Sequence, residues 1–168
     1  YSYYVTGSDQ YGNAMVSPVL LGSTFVDRTD PVITFNSFTP AVVNTLSASV
    51  TVVFTLSETP GANPVVKLGT TKVKNAPSSV SGLQYTYVFN DLTGVDDGEK
   101  TINISVEDLR GNTVSEDFTG PLFDRTRPTV ILSNVSPSKL NETHSNLTVS
   151  FTFSEKMTAL TNANVTVS

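Results

Sequence analysis

Cysteine and tryptophan are absent from the 168 residues, and histidine occurs once. Without cysteine there is no disulfide framework and no thiol nucleophile. The single histidine, His144 in the polar run NETHSN, leaves no His/Cys spacing for a transition metal. It reads as a solvated loop residue, since a catalytic triad needs a positioned base and a group that orients it. P-loop and Gly-rich dinucleotide motifs are missing too, so the chain is read as a non-enzyme. Charged residues make up only 15% and sum to −5 without a basic run, which argues against nucleic-acid binding. No stretch approaches the roughly 18 apolar residues of a membrane-spanning helix. No signal peptide opens the chain, as expected of an internal segment.

What the sequence has is threonine, serine and valine in alternating runs, a composition that favours strands. It also repeats itself. VDRTDP (26–31) returns as FDRTRP (123–128), and an ungapped overlay of residues 27–58 on 124–155 matches 12 of 32 positions at an offset of 97. The matches include Asp27/Asp124, Arg28/Arg125, Pro40/Pro137, Phe54/Phe151 and Glu58/Glu155. SDQYGN (8–13) similarly matches EDLRGN (107–112), here at an offset of 99. A fixed period sets the architecture. The chain therefore divides into the end of one unit (1–25), a whole unit (26–122) and the start of a third (123–168), a segment of a longer tandem array.

Period-2 alternation marks half-buried strands. In ASVTVVFTLS (48–57) it puts Val50, Val52, Phe54 and Leu56 on one face, and the third unit repeats this with Leu147, Val149, Phe151 and Phe153. LQYTYVFNDL (83–92) would bury Leu83, Tyr85, Tyr87 and Phe89, and KTINISVED (100–108) Ile102, Ile104 and Val106. PVITF, NPVVKL and TVSEDF are weaker strands, and no window carries a sustained helical stripe. In the first fragment alternation assigns Tyr3 to the core and Tyr4 to the opposite face. Six or seven short strands in about 97 residues match the size of an immunoglobulin-like sandwich. The expected fold is all-β: tandem Ig-like β-sandwiches with that period, whose cores rest on aliphatic and aromatic packing alone.

FTFSEKMTALTNANVTVS (151–168), DGEKTINISVEDLRGN (97–112) and the FDRTRP junction together resemble bacterial Ig-like tandem repeat domains of extracellular surface and adhesin proteins. Cadherin-like arrays are more distantly similar. Arg28 and Arg125 depart from the pattern, since many members carry a small residue there, and SETPGANPVVKLGTTKV (57–73) lacks the usual Thr-rich segment. The resemblance implies extracellular stalks, adhesins or surface filaments, with neighbouring Ig-like repeats of the same or an identical chain as partners. Two alternatives stand beside a structural segment. One is an adhesin module gripping a glycan or protein ligand, and the other is an accessory array of a secreted hydrolase.

Calcium is the candidate ligand. Hard cations take several oxygens, and acidic residues recur at each boundary: Asp27, Asp30 or Asp124 in the linker, Glu58 or Glu155 after a strand, and Asp9 or Asp108 in the closing turn. The competing reading is that these aspartates cap turns while Arg28 and Arg125 pair with a carboxylate, a guanidinium standing where a cation otherwise sits. Those arginines lead to an expectation of modest or no calcium dependence. Five sequons, at Asn103, Asn134, Asn141, Asn146 and Asn164, are candidate glycosylation positions. Their number is near chance for so Ser/Thr-rich a chain.

Overall fold

The computed structural model describes residues 1–140, 142 and 146–158. The chain divides into two compact units, Tyr1–Asp124 and Arg125–Ser168. Among the described residues the protein is all-β, with no helix.

The first unit opens with a two-stranded hairpin, β1 (Ser2–Val5) and β2 (Val19–Ser23). Nine strands follow: β3 (Ile33–Thr39), β4 (Val42–Val43), β5 (Val50–Leu56), β6 (Val65–Leu68), β7 (Lys72–Lys74), β8 (Ser79–Ser81), β9 (Gln84–Phe89), β10 (Gly98–Glu107) and β11 (Thr113–Phe123). They form a four-stranded sheet, β3-β5-β9-β8, and a five-stranded sheet, β4-β11-β10-β6-β7. The two sheets face each other across one apolar core, a β-sandwich-like arrangement. Alternation decides what lies between them. Val50, Val52, Phe54 and Leu56 of β5 are buried, and so are Tyr85, Tyr87 and Phe89 of β9. The opposite sheet supplies Val66, Leu68, Ile102, Ile104 and Val106. The Phe54 ring stacks between Tyr85 and Tyr87, and Phe35 of β3 stacks on Phe118 of β11 with centroids 4.6 Å apart. Tyr87 is fully buried, and its hydroxyl donates to the Pro64 carbonyl, which satisfies the one polar atom it carries inward.

The strong strand expectations hold at residues 50–56, 84–89 and 98–107. The weaker ones differ at their ends: β3 starts at Ile33 and runs on to Thr39, β6 covers only Val65–Leu68, and β11 continues to Phe123. Strands β4, β7 and β8 have only two or three residues, too few for a period to be read.

The second unit contributes β12 (Val130–Ser136) and β13 (Thr148–Phe153), paired only with each other. Their register is that of β3 with β5. Ile33 faces Leu56 and Phe38 faces Val52; Val130 faces Phe153 and Val135 faces Val149, each residue 97 positions further on. Both pairings slip at the same place, between Phe35 and Ser37 and between Leu132 and Asn134. Both are tied at the same end: the Val32 and Thr129 amides donate to the hydroxyls of Ser57 and Ser154, at 2.9 Å each.

Inward assignments are corrected at Leu83, which is half-buried, at Leu147 and Phe151, which are exposed, and at Tyr3. Tyr3 and Tyr4 are 55% and 60% exposed, because β1 and β2 pair only with each other. An isolated hairpin has no opposite layer in which alternation can bury a side chain.

Removing a fully buried aromatic leaves a cavity that the sheets cannot close. Phe54→Ala is expected to lower the unfolding free energy by about 3–5 kcal/mol. The exposed Phe25→Ala should stay within about 0.5 kcal/mol of the parent. Urea unfolding of both variants checks the contrast.

Candidate cation site at the closing turn

The turn between β10 and β11 is built on one carboxylate. Asp108 is the buried charged residue of the core region, 2% exposed. Its Oδ1 accepts from the Arg110 and Asn112 amides at 2.7 and 2.9 Å, and its Oδ2 accepts from Asn112 Nδ2 at 2.7 Å. Gly111, with φ of 90°, takes the left-handed conformation that a side chain would disfavour. Burial works to raise the Asp108 pKa, but the hydrogen bonds from Asn112, Arg110 and Gly111 outweigh it and hold the group below its ordinary value. Asp9 in the first hairpin has the same partners two and four residues on: the Tyr11 and Asn13 amides and Asn13 Nδ2. Its pKa is lowered as well, chiefly by the Asn13 side chain.

Two further segments are drawn to this turn. The loop after β5 crosses it: Pro60 bridges Asp108, and the Gly61 amide donates to the Glu107 carbonyl at 2.8 Å. A Cβ on Gly61 would meet the Asp108 carbonyl oxygen at 2.5 Å, so only glycine allows this approach. Ser57, exchanging hydrogen bonds with Val32 through its amide and hydroxyl, pins the start of the same loop to the segment entering β3. Asp27 lies in that segment and Glu58 follows Ser57.

The result is a cluster of three carboxylates, Asp27, Glu58 and Asp108, whose ligand oxygens lie within 4.8 Å of one another. Oxygens on opposite sides of a calcium ion, each about 2.3–2.6 Å from it, are about 4.6–5.2 Å apart. The spacing therefore fits one such ion. Among the described residues no other acidic, His or Cys group of three is so close. Asp9, Asp30, Asp124 and Glu155 are not brought into a cluster of this kind. The turn-capping reading also has its geometry: Asp9 and Asp108 cap their turns, and Asp27 Oδ1 accepts from the Thr29 amide at 3.0 Å. Arg28 is exposed and forms no salt bridge among the described residues. The roles are compatible, because each carboxylate oxygen has more than one lone pair.

The sequons differ in setting. Asn103 is half-buried on the outer face of β10, and its Nδ2 donates to Ser115 Oγ, Asp117 Oδ1 and the Glu116 carbonyl. A glycan there would forfeit those bonds. Asn134 and Asn146 are exposed; Asn141 and Asn164 lie outside the described residues, as does His144. A shallow cleft of about 330 Å³ lies beside β10, lined by Ala62, Asn63, Val65, Ser105, Glu107 and Val114 among others.

Sequence reasoning did not find Gly61 or the Lys72–Asp91 pair at 2.7 Å. Lys72, then Thr93, hold the Asp91 carboxyl below the usual range. The pair joins β7 of one sheet to the end of β9 in the other. The Pro/Gly-rich ETPGANP is a loop by composition, and nothing local announces which turn the loop will meet.

Comparison with protein-family models, with curated proteins and with solved structures returned no match.

Because its folded pKa is depressed, ionised Asp108 stabilises the fold at neutral pH, and this contribution is lost as pH falls through that lowered value, below roughly 3.9. Asp108→Asn is expected to melt at lower temperature than the parent near neutrality and to show a shallower fall on acidification. Melting curves across the acid range measure both. Gly61→Ala should cost about 1–3 kcal/mol through the forced displacement of the loop, read by denaturant unfolding.

Proposed function

We propose that this chain is a structural segment of a long extracellular protein, a run of Ig-like β-sandwich repeats serving as a stalk or as part of a surface filament. The observation that carries the reading is the hairpin register repeated 97 residues on, from Ile33↔Leu56 to Val130↔Phe153. The paired turns at Asp9 and Asp108 support it. So does the core, whose buried members are hydrophobic apart from the turn carboxylate of Asp108. The partners in this reading are neighbouring repeats of the same or an identical chain. Among the described residues no helix is long and apolar enough to cross a membrane.

The strand order supports a load-bearing role. Strand β4, near the entry to the unit, runs parallel to β11, from which the chain leaves. The Leu122 amide donates to Ala41 and the Asp124 amide to Val43, at 3.0 and 2.9 Å. Tension applied through both ends pulls these two strands in opposite directions along their length. Their hydrogen bonds are then loaded together, not peeled one by one. Calcium held by Asp27, Glu58 and Asp108 would stiffen the entrance of the unit by tying the segment before β3 to the closing turn. The sandwich itself needs no cofactor.

Force spectroscopy on the full chain tests this reading. One cooperative event should lengthen the chain by somewhat less than about 350 Å, the extended length of roughly 97 residues at up to ~3.6 Å each, because the folded unit already spans part of that distance. Asp124→Pro, which deletes one clasp donor, should lower the unfolding force. Extension without a force peak would remove the stalk reading. Calcium against chelator should move the melting temperature by less than about 5 °C. A larger shift would make the ion a structural component.

A further inference from the structure

We propose that Lys72 and Lys74, the two inward-pointing lysines of β7, guard the open side of the complete sandwich against strand addition by other repeats. Their charge, and not the ion pair that one of them makes, keeps this side unpaired.

Strands β7 and β8 each end a sheet, and an edge strand leaves a row of backbone amides and carbonyls without a strand partner. Both edges lie on one side of the sandwich, since the lysines of β7 reach across to β9, the neighbour of β8. Lys72 Nζ meets Asp91 Oδ2 just past β9 at 2.7 Å, and Lys74 Nζ lies 6.0 Å from the centre of the Phe89 ring. Register fixes where these side chains point. Lys72 stands opposite Leu68 and Lys74 opposite Val66, and residues directly opposite in an antiparallel pair share a face. Leu68 and Val66 are fully buried, so both lysines sit on the inner face, where other strands carry Val, Leu or Ile. Val80 of β8 stands opposite buried Tyr85 and is 49% exposed. The same opening thus offers apolar surface that an added strand could cover.

The lysines make that cover costly. The Lys72 side chain is only 15% exposed, and its ammonium leaves the interior through the gap to Asp91, itself 70% exposed. Such a side chain buries its stem and keeps its head wet. A strand added to β7 would lie across this exit. Two ammonium groups would then lose water, and Asp91 is the one carboxylate paired with either among the described residues. Burying charge without full compensation opposes the contact. The opposite side is interrupted as well. Strand β3 slips register between Phe35 and Ser37, and Glu116 of β11 stands opposite buried Ile104, a carboxylate on an inner face. Bulges and inward charges both deter edge pairing. In an array, tethering holds similar edges at millimolar effective concentration. This use of the lysines rests on the repeat reading, while the edge geometry does not.

Sedimentation velocity of the full chain, parent against variants at equal concentration, tests the proposal. Lys72→Met with Lys74→Met keeps the stems and removes the charge. It should form larger species than the parent, growing with concentration, and amide exchange over residues 72–74 should slow in the associated material. Lys74→Met alone, at a half-buried position, should associate to a smaller extent. Lys72→Arg with Lys74→Arg retains the charge and should sediment as the parent does. Asp91→Asn breaks the ion pair but leaves both ammonium groups, so it too should sediment as the parent does. Melting of every variant is followed in parallel. The proposal is overturned if the methionine variants sediment like the parent, or if Asp91→Asn or the arginine variant associates as they do. It is also overturned if association follows lowered melting instead of lost charge, or if the slowed amides exclude 72–74. None of these outcomes touches the unfolding force of the β4–β11 clasp, so the stalk reading is tested separately.

Discussion

The carboxylate of Asp108 organises both the closing turn and the backbone against which the loop after β5 lies. Burying a charge is costly unless hydrogen bonds replace its water. Here the amides of Arg110 and Asn112 and the side chain of Asn112 do so within one five-residue turn. That turn sets the register of β10 and β11, the longest pairing among the described residues. It also presents the backbone against which Pro60 and Gly61 lie, and through that loop it holds Glu58 near Asp27. The same set of bonds in the exposed hairpin, around Asp9, shows that the turn closes locally, with no core beneath it.

The core depends on a second constraint, that alternation needs two layers. Side chains of period 2 point to both faces of a strand, and the inward set is buried only where another sheet lies opposite. Phe54 and Phe151 occupy corresponding positions in identical registers, yet one is sealed and the other is 38% exposed. The difference lies in what faces them.

The strands with long alternation were legible from the residues alone, as were the turns at Asp9 and Asp108, where Gly-Asn follows the aspartate at fixed spacing. Strands β4, β7 and β8 were not, because two or three residues contain no period. Their existence depends on the neighbour they pair with. Of the acidic residues singled out at the boundaries, three converge, and Asp9, Asp30, Asp124 and Glu155 do not join them. Charge and recurrence identified the candidates, while proximity depended on where the loop after β5 crosses.

Composition and alternation determined by themselves that this chain forms strands, which faces are apolar, and where the closing turns fall. These follow from side-chain chemistry read over a few residues, within reach of one strand or one turn. Tertiary structure alone decided that Asp27, Glu58 and Asp108 share a 4.8 Å neighbourhood, that Gly61 must lack a Cβ, and that Tyr3 remains in solvent. Each of these is a contact, or a missing contact, between segments distant in sequence. The free energy of such a contact depends on which sheet lies opposite, and no window of residues contains that information.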